Sequence, residues 1–372
     1  MSSVNSRSSF SCSCAVCFAI PPYMADYLRR HTKDPKVLES LAASRRASAL
    51  LRQMRTSMLA IPHRATLEQQ LPKKNRRVYD CVRSTDLLSR LVLKEGGKTP
   101  KDKAAAEAYD FCGLTFDFFA KIFKRASIDN ANLPITSSVH YQEDPQYGYD
   151  NAFWNGTQMV YGDGYLFNRM TLSLDVVAHE LTHGITQYEA GLRYEMQSGA
   201  LNEHMSDVFG VMVRQWFNNE VSSSTADWSI GKGLFRKIAM HGMSLRSLSA
   251  PGTAYDDPEF GKDPQPEHMR DFVSLPNTDE GDWGGVHYNS GIPNKAFYLA
   301  ATAIGGASWE IAGKIWYIAL TERLRDNADF KKCAYETISV ARDYFGANAQ
   351  DAVRKAWEDV GVISTGEGPL ED

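Results

Sequence analysis

The chain has 372 residues, 43% hydrophobic and 23% charged, with a formal net charge of -4. That length suits two or three packed units and excludes a peptide hormone or a single small binding module. No run approaches the roughly 18 apolar residues a membrane helix needs, and the weakly acidic balance gives no global reason to expect nucleic acid. Neither a membrane nor a nucleic acid is therefore expected as a partner.

In chain order, the first 20 residues make a poor signal peptide: Arg7 is the only basic residue, the apolar stretch Cys14 to Ile20 is short, and Pro21-Pro22 stands where a small-residue cleavage site is wanted. Cys12, Cys14 and Cys17 cluster there, while Cys81, Cys112 and Cys333 are scattered, so no disulfide framework is expected. The three clustered thiols read as incidental, or as a metal or acylation site. From Asp26 to Arg77, 13 Lys/Arg face 4 Asp/Glu, so a basic leader precedes a body carrying -14. Its apolar residues recur at helical spacing (Leu38, Leu41, Ala42, Leu50, Leu51), which points to a structured piece docked on the acidic remainder rather than a free basic arm. Lys73-Lys74-Asn75-Arg76-Arg77 reads as an exposed, cleavable linker or a solvated loop.

Residues 134–166 read as strand-rich, with Asn155-Gly156 as a two-residue hairpin turn between Ala152-Phe153-Trp154 and Thr157 to Tyr161. From Asp175 onward helical patterns dominate, among them Ile292 to Ala303, Trp309 to Leu324 with Ser308 as N-cap, Phe330 to Tyr344 and Ala349 to Val360. The expected fold class is α+β, with a leader, a β-rich lobe and an α-helical lobe, and a cleft between lobes is a favoured place for a ligand.

The chemistry centres on His179-Glu180-Leu181-Thr182-His183. On a helix the two histidines lie one turn apart on one face and can share a zinc ion, with Glu180 beside them to act on a water. Val176-Val177-Ala178 show that this helix is largely buried, and burying two imidazoles and a carboxylate without a partner is costly. A catalytic zinc wants a third protein ligand; Glu203 offers one, and Asp207, one turn later, can take the free ring N–H of a ligating histidine. Asp175, one turn before His179, suits either a similar supporting role or a helix N-terminal charge.

These blocks, with Asn151-Ala152-Phe153-Trp154 and Gly284-Gly285-Val286-His287-Tyr288-Asn289-Ser290-Gly291, resemble the thermolysin family of zinc metalloendopeptidases. The leader, with Ile20-Pro21-Pro22-Tyr23-Met24, is similar to the short prosegment of protealysin-like precursors. The resemblance implies a two-lobed metallopeptidase fold, with residues 1–72 as prosegment, 73–187 as the β-rich lobe ending in the zinc-binding helix, and 188–372 as the α-helical lobe. It implies one zinc ion on His179, His183 and Glu203, and Glu180 as the general base that activates the water and passes its proton to the leaving amine. His287, held by Asp282, and Tyr194 would stabilise the oxyanion. Asn151 and Ala152 would hold the substrate backbone, and Arg246 its carbonyl beside an apolar pocket walled by Val176 and Leu245.

The implied activity is that of a zymogen that cleaves peptide and protein substrates before bulky hydrophobic residues, with its own prosegment as intramolecular inhibitor. The alternative is a catalytically silent peptide-binding protein of the same fold. Calcium is doubtful: eleven residues after Glu203, calcium-stabilised members carry a glutamate where this chain has Arg214, and a cation is no ligand for a hard divalent ion. Latency is expected to come from the Pro21-Pro22-Tyr23 segment packing near the cleft, with a leader thiol on the zinc as the alternative. Family habit points to secretion without an evident signal peptide, and the alternative location is cytoplasmic.

Overall fold

The leader's sequence pattern produces two helices, α1 (Pro22–His31) and α2 (Pro35–Thr56), docked on the body. The computed structural model describes residues 19–56 and 71–368, so Cys12, Cys14 and Cys17 lie outside the described residues. Helix α1 starts with Pro at its first position, where a missing N–H costs nothing, and buries Tyr23, Met24 and Leu28. The Tyr23 ring lies 4.6 Å from that of Tyr288. Helix α2 turns a narrow face of small residues inward, Ser40, Ala43 and Ala47, while Leu38 is exposed. The basic leader meets the acidic body through Arg46 and Glu143 at 2.8 Å and Arg45 and Glu280 at 3.6 Å. Docking, not a free arm, is what the structure shows.

The β-rich lobe holds one five-stranded mixed sheet, ordered β2-β1-β3-β5-β4, built from β1 (Arg76–Asp80), β2 (Arg90–Lys94), β3 (Ile135–Val139), β4 (Ala152–Trp154) and β5 (Met159–Tyr161). Helix α3 (Lys103–Phe123) packs on it, capped at its N-terminus by Asp102, whose side chain accepts from Ala105 N at 3.0 Å. The expected linker at residues 73–77 is a correction: Arg76 and Arg77 belong to β1, and the Arg76 guanidinium pairs with Glu95 and lies 3.6 Å over the Tyr109 ring. A charge pair and an aromatic partner turn that end of the basic run into a strand. The β4–β5 hairpin forms as expected, with its turn one residue later. Asn155 N donates to Gln158 O at 3.0 Å, leaving Gly156 and Thr157 as the turn, because the Asn155 side chain accepts from Thr157 N.

The β-rich lobe ends in α4 (Leu174–Tyr188), and the α-helical lobe contains α5 (Met196–Phe217), two short ribbons β6 (Ser229–Ile230) with β7 (Arg246–Ser247) and β8 (Asp256–Asp257) with β9 (Gly261–Lys262), then α6 (Asp282–Asn289), α7 (Gly291–Ile304), α8 (Ala312–Ile318), α9 (Phe330–Phe345) and α10 (Ala347–Asp359). Two expectations shift. Helix α8 starts at Ala312 rather than Trp309 and passes into a π-helical turn at Ala319–Arg323. Ser308 does not cap it, because its hydroxyl donates to the buried Gln215 Oε1 at 2.6 Å. Cys81, Cys112 and Cys333 are buried and free. Among the described residues no helix is long and apolar enough to cross a membrane.

Candidate active site

Helix α4 is buried from Leu174 to Thr186, and α5 from Ser198 to Val213, so the two lie against each other in the middle of the molecule. Gly210 on α5 makes the approach possible: a Cβ there would stand 2.6 Å from the Asp175 carbonyl oxygen and 3.4 Å from His179 N. This close crossing brings the His179-to-His183 face of α4 against Glu203 and Asp207 of α5.

His179 Nε2 and His183 Nε2 face each other at 3.0 Å. Glu203 meets them with one oxygen each, Oε2 3.4 Å from His179 Nε2 and Oε1 3.5 Å from His183 Nε2. Glu180 also lies close, and donor atoms of His179, Glu180 and His183 all fall within 4.8 Å of one another. The imidazoles are held from behind. His179 Nδ1 lies 2.8 Å from Asp207 Oδ1, and His183 Nδ1 lies 2.8 Å from Asn202 Oδ1 and 3.0 Å from the Ser206 hydroxyl. The hydrogen bonds behind fix the tautomer that leaves Nε2 for a metal.

The electrostatics call for a cation. Burial opposes charge on His179 and His287, yet Asp207 and Glu203 around the first, and Asp282 and Glu203 around the second, outweigh it and raise both to about 9. Burial likewise opposes ionisation of Glu203, but His287, His183 and His179 hold it well below the usual range. Two imidazoles and one carboxylate converging in a buried place, with the Glu203 Oε2 and Glu180 Oε1 atoms lacking a hydrogen bond among the described residues, fit a tetrahedral N,N,O zinc site with room for a further ligand. Glu180 itself is pushed up to about 8 by burial, against the pull of His179. Its Oε2 accepts from Trp154 N at 3.1 Å, and its Oε1 is left facing the site.

The other candidates gather at the same place. His287 Nδ1 lies 2.6 Å from Asp282 Oδ1, and the Asp282 Oδ2 accepts from His287 N at 2.8 Å. This loop takes a left-handed course from Asp282 to Gly285, and a Cβ on Gly284 would fall 2.4 Å from Met196 Sδ. Tyr194 OH donates to Glu203 Oε1 and lies 3.2 Å from His287 Nε2. Arg246 grips Asp207 with Nε and Nη2, at 2.9 and 2.8 Å, and donates through Nη1 to the carbonyl of Ala19 at 3.1 Å. Asn151, Ala152, Val176 and Leu245 are buried, with Ala152 on the edge strand β4 and Leu245 adjacent to Arg246.

One placement is a correction. Asp175 does not stand behind His179; its carboxylate binds the Ser173 hydroxyl, Gly231 N at 3.2 Å and Arg214 Nη1 at 2.9 Å. A guanidinium within reach wins it from the imidazole.

Several partners escaped the sequence reading. Asn202 and Ser206 are one turn apart on the α5 face that meets His183, and that spacing was visible. Asn294 donates to Asp207 Oδ2 at 2.9 Å from 87 residues away, and nothing local signals it. Leader residues Ala19 and Ile20 occupy the cleft itself: Ala19 N donates to Ala152 O at 3.2 Å, and Ile20 N to Asn151 Oδ1 at 2.9 Å.

The comparisons agree with this geometry. Residues 68–187 match the family described as thermolysin metallopeptidase, catalytic domain, and residues 190–362 match thermolysin metallopeptidase, alpha-helical domain. An extracellular metalloprotease of Pectobacterium carotovorum subsp. carotovorum is 48% identical over 354 residues, 93% of this chain and 96% of that one. The neutral protease NprE of Bacillus pumilus is 44% identical over 289 residues, 76% of this chain and 86% of that one. Among solved structures, the precursor of protealysin, a metalloproteinase from Serratia proteamaculans, superposes with a TM-score of 0.77 at 45% identity, covering 93% of this chain and 100% of that one. The chain belongs to the thermolysin metallopeptidase family, and is a zinc-dependent metalloendopeptidase in precursor form.

Proposed function

We propose that this precursor, once its leader is displaced, hydrolyses peptide bonds on the N-terminal side of bulky hydrophobic residues. The observation that carries the reading is the buried convergence of His179, His183, Glu203 and Glu180 beside a sheet edge whose Ala152 carbonyl already accepts from the backbone of Ala19. His179, His183 and Glu203 hold one zinc ion, which when bound supplies a Lewis acid to polarise the scissile carbonyl and acidify water.

Glu180 then does the proton work. Trp154 N fixes Oε2, leaving Oε1 to take a proton from the attacking water and deliver it to the leaving amine. Tyr194 OH, once released from Glu203, and His287 Nε2 donate to the negative oxygen that develops, and Asp282, accepting from Nδ1–H, stabilises the doubly protonated His287 in which Nε2 also carries a proton. Asp207 orients His179 and, through its grip on Arg246, sets the donor that receives a substrate carbonyl. Asn151 and Ala152 pair with the substrate backbone as an added strand, and Val176 and Leu245 form the wall of the apolar pocket.

Residues 1–72 act as prosegment and intramolecular inhibitor, 73–187 and 188–372 as the two catalytic lobes. The extracellular relatives support secretion. Arg214, bonded to Asp175, Ser229 O and Asp227 O, takes the place of a bound calcium ion. A peptide library offered to the zinc-loaded, processed protein tests the specificity. Cuts before Leu, Ile and Phe support it; zinc-dependent cuts without apolar preference overturn the specificity, and none at all overturns the activity.

A further inference from the structure

Resting on the assignment of His179, His183 and Glu203 as zinc ligands, we propose that Trp316, His204 and Asn294 form a one-way hydrogen-bond chain whose end positions Asp207, and through it His179, for the metal. Trp316, His204, Asn294, Asp207 and His179 are all fully buried. Trp316 Nε1 donates to His204 Nε2 at 2.8 Å, His204 Nδ1 donates to Asn294 Oδ1 at 2.8 Å, and Asn294 Nδ2 donates to Asp207 Oδ2 at 2.9 Å.

The chemistry of the two ends fixes the direction. An indole N–H can only donate, so His204 Nε2 must accept and the ring carries its proton on Nδ1. That N–H takes the Asn294 carbonyl oxygen, which turns the amide NH2 toward Asp207. From the other end the requirement is the same, because a carboxylate gripped by Arg246 is ionised and can only accept. Both ends therefore select one order of donors and acceptors along the whole chain. None of the three side chains is among the zinc ligands or the groups that meet substrate.

Asn294 works as a staple between helices. His204 and Asp207 are neighbours across one turn of α5, and Asn294, reaching over from α7, lays its amide across that turn with one atom on each. Arg246 of β7 holds the same carboxylate through Nε and Nη2. Between them Oδ2 receives Asn294 and Arg246 Nε, and Oδ1 stands 2.8 Å from His179 Nδ1. Arg246 has a second duty, since its Nη1 donates to a carbonyl in the cleft. The chain from Trp316 gives Asp207 an anchor that does not move with the occupant of the cleft. A ligating histidine held this way keeps its Nε2 aimed at the metal position whether the cleft is full or empty.

The test measures zinc affinity of the full-length chain by competition with a chromophoric chelator, and coordination geometry from the visible spectrum after Co2+ replaces zinc. Asn294→Leu and His204→Leu, close in size but without polar atoms, should each weaken zinc about tenfold and alter the Co2+ bands, as removal of a group behind a ligating histidine does. The double variant should be no weaker than the worse single one, because the chain is already cut. His204→Gln, whose amide offers an acceptor to Trp316 and a donor to Asn294, should restore the wild-type values. Circular dichroism accompanies each variant; where a leucine variant does not fold, Trp316→Phe keeps an aromatic ring, removes the N–H, and should show a smaller loss in the same direction. Wild-type affinity and Co2+ bands in folded Asn294→Leu, or in Trp316→Phe where it stands in, overturn the inference. Additive losses in the double variant overturn it as well, and so does His204→Gln binding as weakly as His204→Leu. A wild-type chain that takes up no zinc overturns instead the ligand assignment beneath it.

Discussion

The guanidinium of Arg214 lies 2.9 Å from the carboxylate of Asp175, joining the C-terminal half of α5 to the first turn of α4, the helix that bears both site histidines. Both side chains are largely buried, and Nη1 and Nη2 also donate to the carbonyls of Ser229 and Asp227. Removing one partner strands the other's charge, so Arg214→Ala is expected to cost about 3 kcal/mol in denaturant unfolding. Calcium-selective chelation should leave the melting temperature of the wild type unchanged. A large fall on chelation would show that the guanidinium has not taken over from a metal ion.

Glu180→Ala should keep the fold and the zinc and lose turnover by on the order of 10³-fold, the range removed with a general base. Circular dichroism and metal analysis check the first part, and kcat on a peptide substrate the second. Near-normal turnover would dismiss Glu180 as the base.

Glu203→Ala should lose stoichiometric zinc, because two imidazoles hold the ion weakly and Glu203 is the carboxylate that faces both Nε2 atoms. Metal content after dialysis measures this. Full retention would give the third ligand position to another group, with Glu180 the first candidate.

Stability should also depend on pH at a place remote from the zinc site. His140 stands between Asp163, 2.7 Å from Nδ1, and Asp102, 2.9 Å from Nε2, and these carboxylates, with the Asp163 hydrogen bond foremost, raise it to about 9. The folded value exceeds the unfolded one of about 6.5, so the contribution is fully present below about pH 6.5 and fades as pH rises through 9. With Asp102 partly open to water it is worth about 2 kcal/mol. His140→Asn tolerates the left-handed backbone at this position and should flatten that part of the stability-pH curve. An unchanged slope would remove His140 from the account.

The clustering of His179, Glu180 and His183 was legible because one helical turn relates the two histidines and Glu180 is next to the first, and one turn of a second helix relates Glu203 to Asp207. The β4–β5 hairpin was legible for the same local reason, apart from the shift caused by the Asn155 side chain. What was not legible depends on partners distant in sequence. Arg76 reads as linker until Glu95 and Tyr109 are placed beside it, and Ser308 reads as a cap until Gln215 competes for its hydroxyl. Asp175 followed the same rule, drawn from the histidine one turn away by a guanidinium 39 residues downstream.

The polar grip of α2 on the body centres on Asp150 and its neighbour Tyr149. Ser40 donates to Asp150 Oδ2 at 3.1 Å, Asp150 N donates to the Ser44 hydroxyl at 3.1 Å, and Ser48 meets Tyr149 OH at 3.2 Å. The Asp150 carboxylate also receives the N–H groups of Tyr165, Leu166 and Phe167, all within the catalytic lobe. None of those three bonds involves α2, and the hydroxyl contacts are ones that water can replace. The loop around Asp150 is thus shaped by the body's own backbone, and the leader's hydroxyls take up only what that carboxylate has left over.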